Sequence, residues 1–237
     1  MAARQAPVAD NLTSRVSIII PTLNEASCIV GTLTTLQSFR QQGHEVIVVD
    51  GGSRDNTVDL ARPFSDLVLQ CSAAHRARQM NIGAAHAHGD IYLFLHADTR
   101  TPPDACSLIH RAMNINHVWG RFNVTFTGSH PLLGIIAGAM NWRSLLTGIA
   151  TGDQGIFVHR TAFRLTGGYP DIALMEDIRL SASLKSLSRP ACLLQTVITS
   201  SRRWESNGIL KTVLFMWRLR LAFFLGRHPT RLARLYQ

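Results

Sequence analysis

The chain has 237 residues, of which 46% are hydrophobic and 16% charged, which is enough apolar material for one core and too little charge for a disordered chain. Lys and Arg number 24 against 15 Asp and Glu, a net charge of +9, so the partners to expect are anionic: nucleic acid, acidic lipid or phosphate-bearing ligands. The four cysteines, Cys28, Cys71, Cys106 and Cys192, form no close pair, which argues against a zinc site or a disulfide framework and suits a reducing cytoplasm.

Residues 1–14 have no apolar stretch of signal-peptide length and read as a flexible tail. Val16 to Ile20 is a β-branched apolar run, a buried parallel strand ending at Pro21. Ile29, Val30, Leu33, Leu36 and Phe39 recur at helical spacing, and Gly43 stops them. Glu45 to Val49 is a second buried strand, closed by Asp50-Gly51-Gly52-Ser53. A short helix over Asn56 to Arg62, a third strand at Leu67 to Leu69 and an Ala-rich helix from His75 to His88 follow. Ile91 to Leu95 is a fourth apolar strand. Strands apolar on both faces, alternating with helices, predict an α/β fold with a parallel sheet covered on both sides. Ligands of such sheets bind beyond the carboxyl ends of the strands, so the loops at Pro21 to Glu25, Asp50 to Ser53 and His96 to Thr99 should meet at one rim.

Beyond residue 100 the pattern loosens. Thr101-Pro102-Pro103-Asp104 opens a helix to about Met113, Arg121 to Phe126 alternates as a half-exposed strand, Ile156 to Val158 is another strand, and Met175 to Lys185 is a helix. Two segments, Pro131 to Ala150 and Ile209 to Gly226, are apolar but interrupted by polar residues; neither reaches about 18 uninterrupted apolar positions, as a membrane span would.

Three acidic groups invite chemistry. Asp98 ends a buried strand two residues after His96; it either caps the following helix or anchors a divalent metal, which commonly takes one or two carboxylates plus substrate phosphates. Asp50, with glycines behind it, either closes a turn or accepts bonds from a nucleoside. Glu176-Asp177 either complement a helix start or supply a base for an acceptor hydroxyl. The ten histidines show no His-Glu-x-x-His, and no Gly-x-Gly-x-x-Gly follows the first strand.

Taken together, Ser17 to Glu25, Val48 to Thr57, Asn81 to Ala85 with Gly89-Asp90, and Leu95 to Thr99 resemble a family-2 glycosyltransferase; Gly152-Asp153-Gln154-Gly155, Leu174 to Asp177 and Arg202-Arg203-Trp204 are similar to a small bacterial subgroup of it. The resemblance implies a GT-A type fold, with a mostly parallel central sheet, helices on both faces and extra C-terminal helices. It implies a hexosyltransferase-like enzyme that uses a nucleotide diphosphate sugar donor, Mn²⁺ or Mg²⁺, and inversion at the anomeric carbon. It implies no nucleic acid partner. Residues 15–205 would form the glycosyltransferase domain and 206–237 amphipathic basic helices.

By position, Pro21, Asn24, Glu25, Asp50, Gly52, Arg78, His96 and Asp98 would bind the nucleotide sugar. Asp98 would also hold the metal, Asp177 would be the base with Glu176 beside it, and Gly152, Asp153, Gln154, Arg203 and Trp204 would meet the acceptor. The pattern departs from the family at three places. His96 stands where an Asp is usual, Gly51 stands where a second Asp is common, and Met80 precedes Asn81 where Arg is common; Arg76 or Arg78 would supply that charge, or face solvent. Thr199-Ser200-Ser201-Arg202 precede Arg203-Trp204, so the Gln-x-x-Arg-Trp motif of processive synthases is incomplete.

A sugar-phosphate nucleotidyltransferase and a non-catalytic nucleotide-sugar-binding protein are the rival readings. The cations Lys211, Arg218 and Arg220 would each cost roughly 2.5–3.5 kcal/mol at a bilayer centre, so Ile209 to Leu225 is expected on an anionic membrane surface, the inner face of the cell membrane, rather than across it. Pro131 to Ala150 would be a second contact, suited to a lipid-tailed acceptor; the alternative is that both segments pack on the sheet or in a homodimer.

Overall fold

A computed structural model describes residues 14–72, 75–113 and 117–236, without the side chains of Arg203, Asn207, Thr230, Arg234 and Tyr236. The expected tail over residues 1–14 thus lies, but for Ser14, outside the described residues.

The first half follows the pattern of its apolar runs. Strands β1 (Val16–Thr22), β2 (Glu45–Asp50), β3 (Leu67–Gln70) and β4 (Ile91–Phe94) pair in parallel in the order β3-β2-β1-β4. Period-two alternation sorts their side chains. Val16, Ile18, Ile20, Val46 and Val48 face a core closed by α1 (Ile29–Thr35), α2 (Gln37–Gln41), α3 (Thr57–Ala61) and α5 (Ala105–Met113). Ile19, Ile47 and Val49 face a second core closed by α4 (Arg76–His86), α7 (Arg160–Leu165) and α8 (Glu176–Lys185). Helices therefore cover both faces, as expected.

The second half brings in reversed strands. β7 (Ile156–His159) lies antiparallel beside β4, β6 (Trp119–Phe126) antiparallel beside β7, β8 (Ala191–Thr199) parallel beside β6, and the two-residue β5 (Thr99–Arg100) antiparallel on β8. The eight-stranded sheet keeps four parallel pairings out of seven. The stretch Arg121 to Phe126 is more buried than its alternation predicts: Arg121 is itself inside, donating to Ser144 Oγ at 3.1 Å and to the Asn141 carbonyl at 3.2 Å.

Close approaches explain two of the glycine motifs. A Cβ on Gly83 would stand 2.4 Å from Ile19 Cγ2, so its absence lets α4 lie flat on β1. A Cβ on Gly89 would stand 2.7 Å from the Arg15 carbonyl; here Gly89 N–H reaches Ser17 Oγ, which donates to the buried Glu45 at 2.6 Å. That network lies at the amino end of the strands, away from the rim, so Gly89-Asp90 serves the fold.

The two apolar segments are helices. α6 (Pro131–Thr147) sits beside β6, burying Leu133 and Ala137 against Phe126. After α9 (Arg202–Asn207), α10 (Ile209–Phe224) and α11 (Pro229–Tyr236) cluster Leu219, Phe223 and Leu232 with Leu174, Met175 and Ile178 at the start of α8. One face of α10 is thus packed on the domain, and the other exposes Leu210, Leu214, Trp217, Leu221 and Phe224. Among the described residues, no helix is long and apolar enough to cross a membrane.

Candidate active site

The register Thr22↔Asp50↔Gln70 aligns the carboxyl ends of β1, β2 and β3, and the loops beyond them are bonded to one another. Asn24 N–H donates to Ser53 Oγ at 2.8 Å, Arg54 N–H to Asn24 Oδ1 at 2.8 Å and Glu25 N–H to Thr57 Oγ1 at 2.8 Å. Thr32 Oγ1 ties α1 to the Ala97 carbonyl at 2.6 Å, bringing the loop after β4 to the same rim. Gln79 of α4 clamps β1 to β2 through the Thr22 and Val49 carbonyls, both at 2.8 Å.

Above this rim opens a cleft of about 940 Å³. Of the residues singled out from the sequence, Pro21, Glu25, His96, Asp98, Gly152, Asp153, Glu176, Asp177 and Trp204 line it. Asn24, Asp50, Gly52, Arg78 and Gln154 do not. Arg203 belongs to α9, but its side chain lies outside the described part of the chain.

The side chains that do not line the cleft have visible structural work. The Asp50 carboxylate is buried and accepts from Gly52 N–H at 2.9 Å, Ser53 N–H at 2.8 Å, Thr22 Oγ1 at 3.3 Å and the Ser53 hydroxyl, so it closes its own turn. Arg78 makes a two-pronged pair with Asp171 at 2.8 and 2.7 Å on the outer surface. Gln154 is buried and accepts from Thr151 N–H at 3.2 Å, fixing the Gly152–Gln154 turn. The positive charge in the cleft comes instead from Arg76, from Arg202 of α9 and from Lys211 and Arg220 of α10.

Asp98, in the loop after β4, and Asp177, at the start of α8, both line the cleft. Asp98 takes long contacts from Thr99 at 3.4 Å and Thr199 at 3.5 Å, and is partly open to the cleft. Near it, Arg202 donates to Glu25 at 3.3 Å and Ser27 at 3.2 Å, joining α9 to the loop after β1. Burial, together with a hydrogen bond to Glu25, pushes the Cys28 thiol in this corner up to about 12, so it is no nucleophile.

Asn81 of α4 bonds both backbone groups of Tyr169, at 2.8 and 2.9 Å, and so anchors the loop leading to α8. That loop ends at Met175, which adopts φ 67° and ψ 25°, the left-handed region that a side-chain-bearing residue rarely occupies. The turn aims Glu176 and Asp177 at the cleft. Gly152 N–H donates to Asp177 Oδ2 at 2.8 Å, and His96 Nδ1 stands 3.2 Å from Asp153 Oδ1. Burial opposes the Asp153 charge, but the hydrogen bond from His96 and the charges of Arg76 and Arg220 outweigh it and hold the carboxyl below its ordinary range. The imidazole is engaged by Asp153 and lies against Gly152, where a Cβ would be 2.6 Å from Nε2.

Among the described residues, no three His, Cys, Asp or Glu side chains cluster as a metal cage. The donor set fits a different kind of site: one carboxylate, Asp98, whose remaining partners would be donor phosphates and water.

Glu176 is buried, with Arg76 Nη1 at 3.9 Å. Burial, and then the charge of Asp177, hold its carboxyl above the ordinary value of 4.5. The folded state therefore keeps this proton more tightly than the unfolded one. The stability it contributes is fully present below 4.5 and declines as pH rises through the raised folded value. Glu176→Gln, which cannot ionise, is expected to gain in Tm relative to wild type as pH rises from that range to neutrality. A Tm difference that is flat with pH would contradict this.

Comparison with known proteins matches the description of glycosyl transferase family 2 over residues 17–158, from β1 to β7. A PGL/p-HBAD biosynthesis glycosyltransferase of Mycobacterium bovis is 38% identical over 88 residues, 35% of this chain and 34% of that one. The undecaprenyl-phosphate 4-deoxy-4-formamido-L-arabinose transferase of Pseudomonas syringae is 30% identical over 100 residues, 38% of this chain and 29% of that one. The chain spans about a third of the length of these curated relatives. The mannosyltransferase PcManGT from Pyrobaculum calidifontis, solved in complex with GDP-Man and Mn²⁺, superposes with a TM-score of 0.63 at 21% identity, covering 88% of this chain and 61% of that one. That likeness carries the architecture, the GT-A type fold expected from the sequence. With well over half of its length matched, the whole rim of β1, β2 and β4 included, the chain belongs to glycosyl transferase family 2.

Proposed function

We propose that the chain is an inverting glycosyltransferase that moves a sugar from a nucleoside diphosphate donor to an acceptor, with a divalent metal on the donor diphosphate. The observation that supports this best is that Asp98 and Asp177 line one cleft, their loops linked through His96, Asp153 and Gly152. Asp177 takes the proton of the acceptor hydroxyl, the acceptor oxygen bonds to the anomeric carbon, and the bond from that carbon to the diphosphate oxygen breaks on the opposite face. Mn²⁺ or Mg²⁺, held by Asp98 and the diphosphate oxygens, would supply the countercharge for the leaving group. Pro21 and Glu25 border the donor, and Trp204, packed edge-on against Phe126 at 5.5 Å, borders the acceptor.

The reaction product tests the proposal. With UDP-, GDP- and dTDP-sugars, Mn²⁺ and a short prenyl-linked sugar as acceptor, which offers the free hydroxyl the step requires, ³¹P NMR should show nucleoside diphosphate accumulating. Pyrophosphate release would reassign the chain as a sugar-phosphate nucleotidyltransferase; binding of donors without any release would favour a binding protein.

The second part of the proposal is place of work: the cytoplasmic face of an anionic membrane, toward a lipid-linked acceptor. Trp142 is 63% exposed on α6 and Trp217 70% on α10, each in an apolar stripe, with Arg218 of α10 and Arg227 just beyond it exposed as well. Apolar stripes flanked by cations suit an interfacial helix, at about 1 kcal/mol per cation near an anionic surface. The protein should sediment with phosphatidylglycerol-rich liposomes at low salt and less with neutral ones. Protein that stays in solution with both, and elutes as a dimer, would assign these faces to a homodimer instead.

A further inference from the structure

His96 stands where an Asp is usual in the family, and the fold gives its ring a partner that an aspartate would repel. Its Nδ1–H donates to Asp153 Oδ1 at 3.2 Å. The other ring nitrogen, Nε2, lies over Gly152, so close that a Cβ there would stand 2.6 Å away. The backbone beneath the ring is held firmly. The His96 carbonyl accepts from Thr99 N–H at 3.1 Å, closing the turn that carries Asp98, and the Ala97 carbonyl accepts from Thr32 Oγ1 at 2.6 Å. The segment that the ring touches is equally firm. The Thr151 carbonyl accepts from Gln154 N–H at 2.9 Å, and Thr151 N–H donates to the buried Gln154 side chain at 3.2 Å, so Gly152 and Asp153 move together as one turn. That turn gives Gly152 N–H to Asp177 Oδ2 at 2.8 Å, while Asp177 Oδ1 bonds Ile178 N–H at 2.7 Å within its own helix start.

We propose that His96 and Asp153 are positioning residues for the base: together they fix the Gly152 turn, and Gly152 N–H fixes the Asp177 carboxylate. Neither touches the reacting atoms, and their effect passes through Gly152. The family resemblance placed His96 with the donor and Asp153 with the acceptor, but the bond between them commits Nδ1 and Oδ1 to each other. One strut thus joins the turn that carries Asp98 to the helix start that carries Asp177, so the two acids keep a fixed relation across the cleft. The strut also accounts for two residue choices. An aspartate at position 96 would face Asp153 with like charge, and any side chain at position 152 would push the ring away. This inference rests on the transferase reading and deepens it, by naming the residues that aim its base.

The test uses the full chain, the prenyl-linked sugar acceptor and whichever UDP-, GDP- or dTDP-sugar turns over fastest. His96→Ala and Asp153→Ala should each lower kcat by about tenfold to a hundredfold, the scale of a lost alignment, while UDP or GDP affinity with Mn²⁺ stays within about twofold. His96→Asn, whose amide nitrogen can stand where Nδ1 does, should restore most of that loss, and His96→Asp should not. Gly152→Ala should cost about as much as His96→Ala, because its Cβ displaces the ring. The double variant should cost no more than either, because the ring is then gone. A second readout needs no turnover. In protein labelled with ¹⁵N-glycine, the Gly152 amide is the signal that Gly152→Ala lacks. It should exchange with solvent about tenfold faster in His96→Ala than in wild type or His96→Asn. Should His96→Ala not fold, Asp153→Ala is read in its place.

The inference is overturned if the alanine variants lose nucleotide affinity, which would return the residues to the donor, or raise KM for the acceptor with kcat unchanged, which would return them to acceptor binding. It is also overturned if the losses of His96→Ala and Gly152→Ala add, if His96→Asn is as slow as His96→Ala, or if the variants melt lower with kcat unchanged, a purely structural role. Failure of the transferase reading is distinguishable. It shows as wild-type protein that releases no nucleoside diphosphate from any donor, while the Gly152 amide still reports on the strut.

Discussion

Asp177→Asn is expected to lower kcat by about 10²–10⁴-fold while nucleotide donor affinity stays within a few-fold, the usual weight of a general base. The substitution is nearly isosteric. Asp177 Oδ2 accepts from Gly152 N–H at 2.8 Å and Oδ1 from Ile178 N–H at 2.7 Å; an asparagine oxygen can still accept the Gly152 N–H that ties the two loops, at the cost of the local bond within its own turn. Glu176 is the natural competitor, but it is buried, faces Arg76 at 3.9 Å and is held above its ordinary range by burial and by Asp177. Glu176→Gln should therefore cost less in kcat than Asp177→Asn. Steady-state rates for both variants, with calorimetric donor affinities, separate the roles. If Asp177→Asn stays within a few-fold of wild type while Glu176→Gln collapses, the base is Glu176.

Most of the first hundred residues were legible because parallel strands buried on both faces are written as uninterrupted apolar runs, and such runs mark both the strand and its end. Ile18 to Ile20 stop at Pro21 and Val46 to Val49 at Asp50, and those stops form the rim. The later strands were less legible. β8 was missed because its residues are only partly buried, and its register against β6 shifts between Phe122 and Asn123, which breaks any simple alternation.

Side chains with two plausible roles were the harder problem. Asp50 reads as a turn-former or as a ligand, and the hydrogen bonds within its own turn show the first role. Arg202 reads from the sequence only as part of Arg202-Arg203-Trp204 and Arg220 only as a membrane-facing cation, since their place in the cleft depends on helices more than 170 residues from β1 folding back over its end. Lys211, Arg218 and Arg220 looked like one basic character in a membrane-facing helix. In the fold they part: Lys211 and Arg220 line the cleft, while Arg218 faces outward.

Asp98→Asn is expected to weaken binding of a nucleoside diphosphate in the presence of Mn²⁺ by about tenfold to a hundredfold, while leaving the metal-free affinity close to that of wild type. The carboxylate carries the charge that fixes the cation, and the amide keeps its shape without that charge. The fold should be untouched, since Thr99 and Thr199 stand at 3.4 and 3.5 Å from Asp98 Oδ1, too long to anchor the strand end strongly. The decisive measurement is calorimetric titration of UDP and GDP into wild type and Asp98→Asn, with Mn²⁺ and with EDTA. A donor diphosphate held through a metal at Asp98 predicts Mn²⁺-dependent binding in wild type that the variant loses. Binding of equal strength in both proteins, or the same affinity with EDTA as with Mn²⁺, would contradict it.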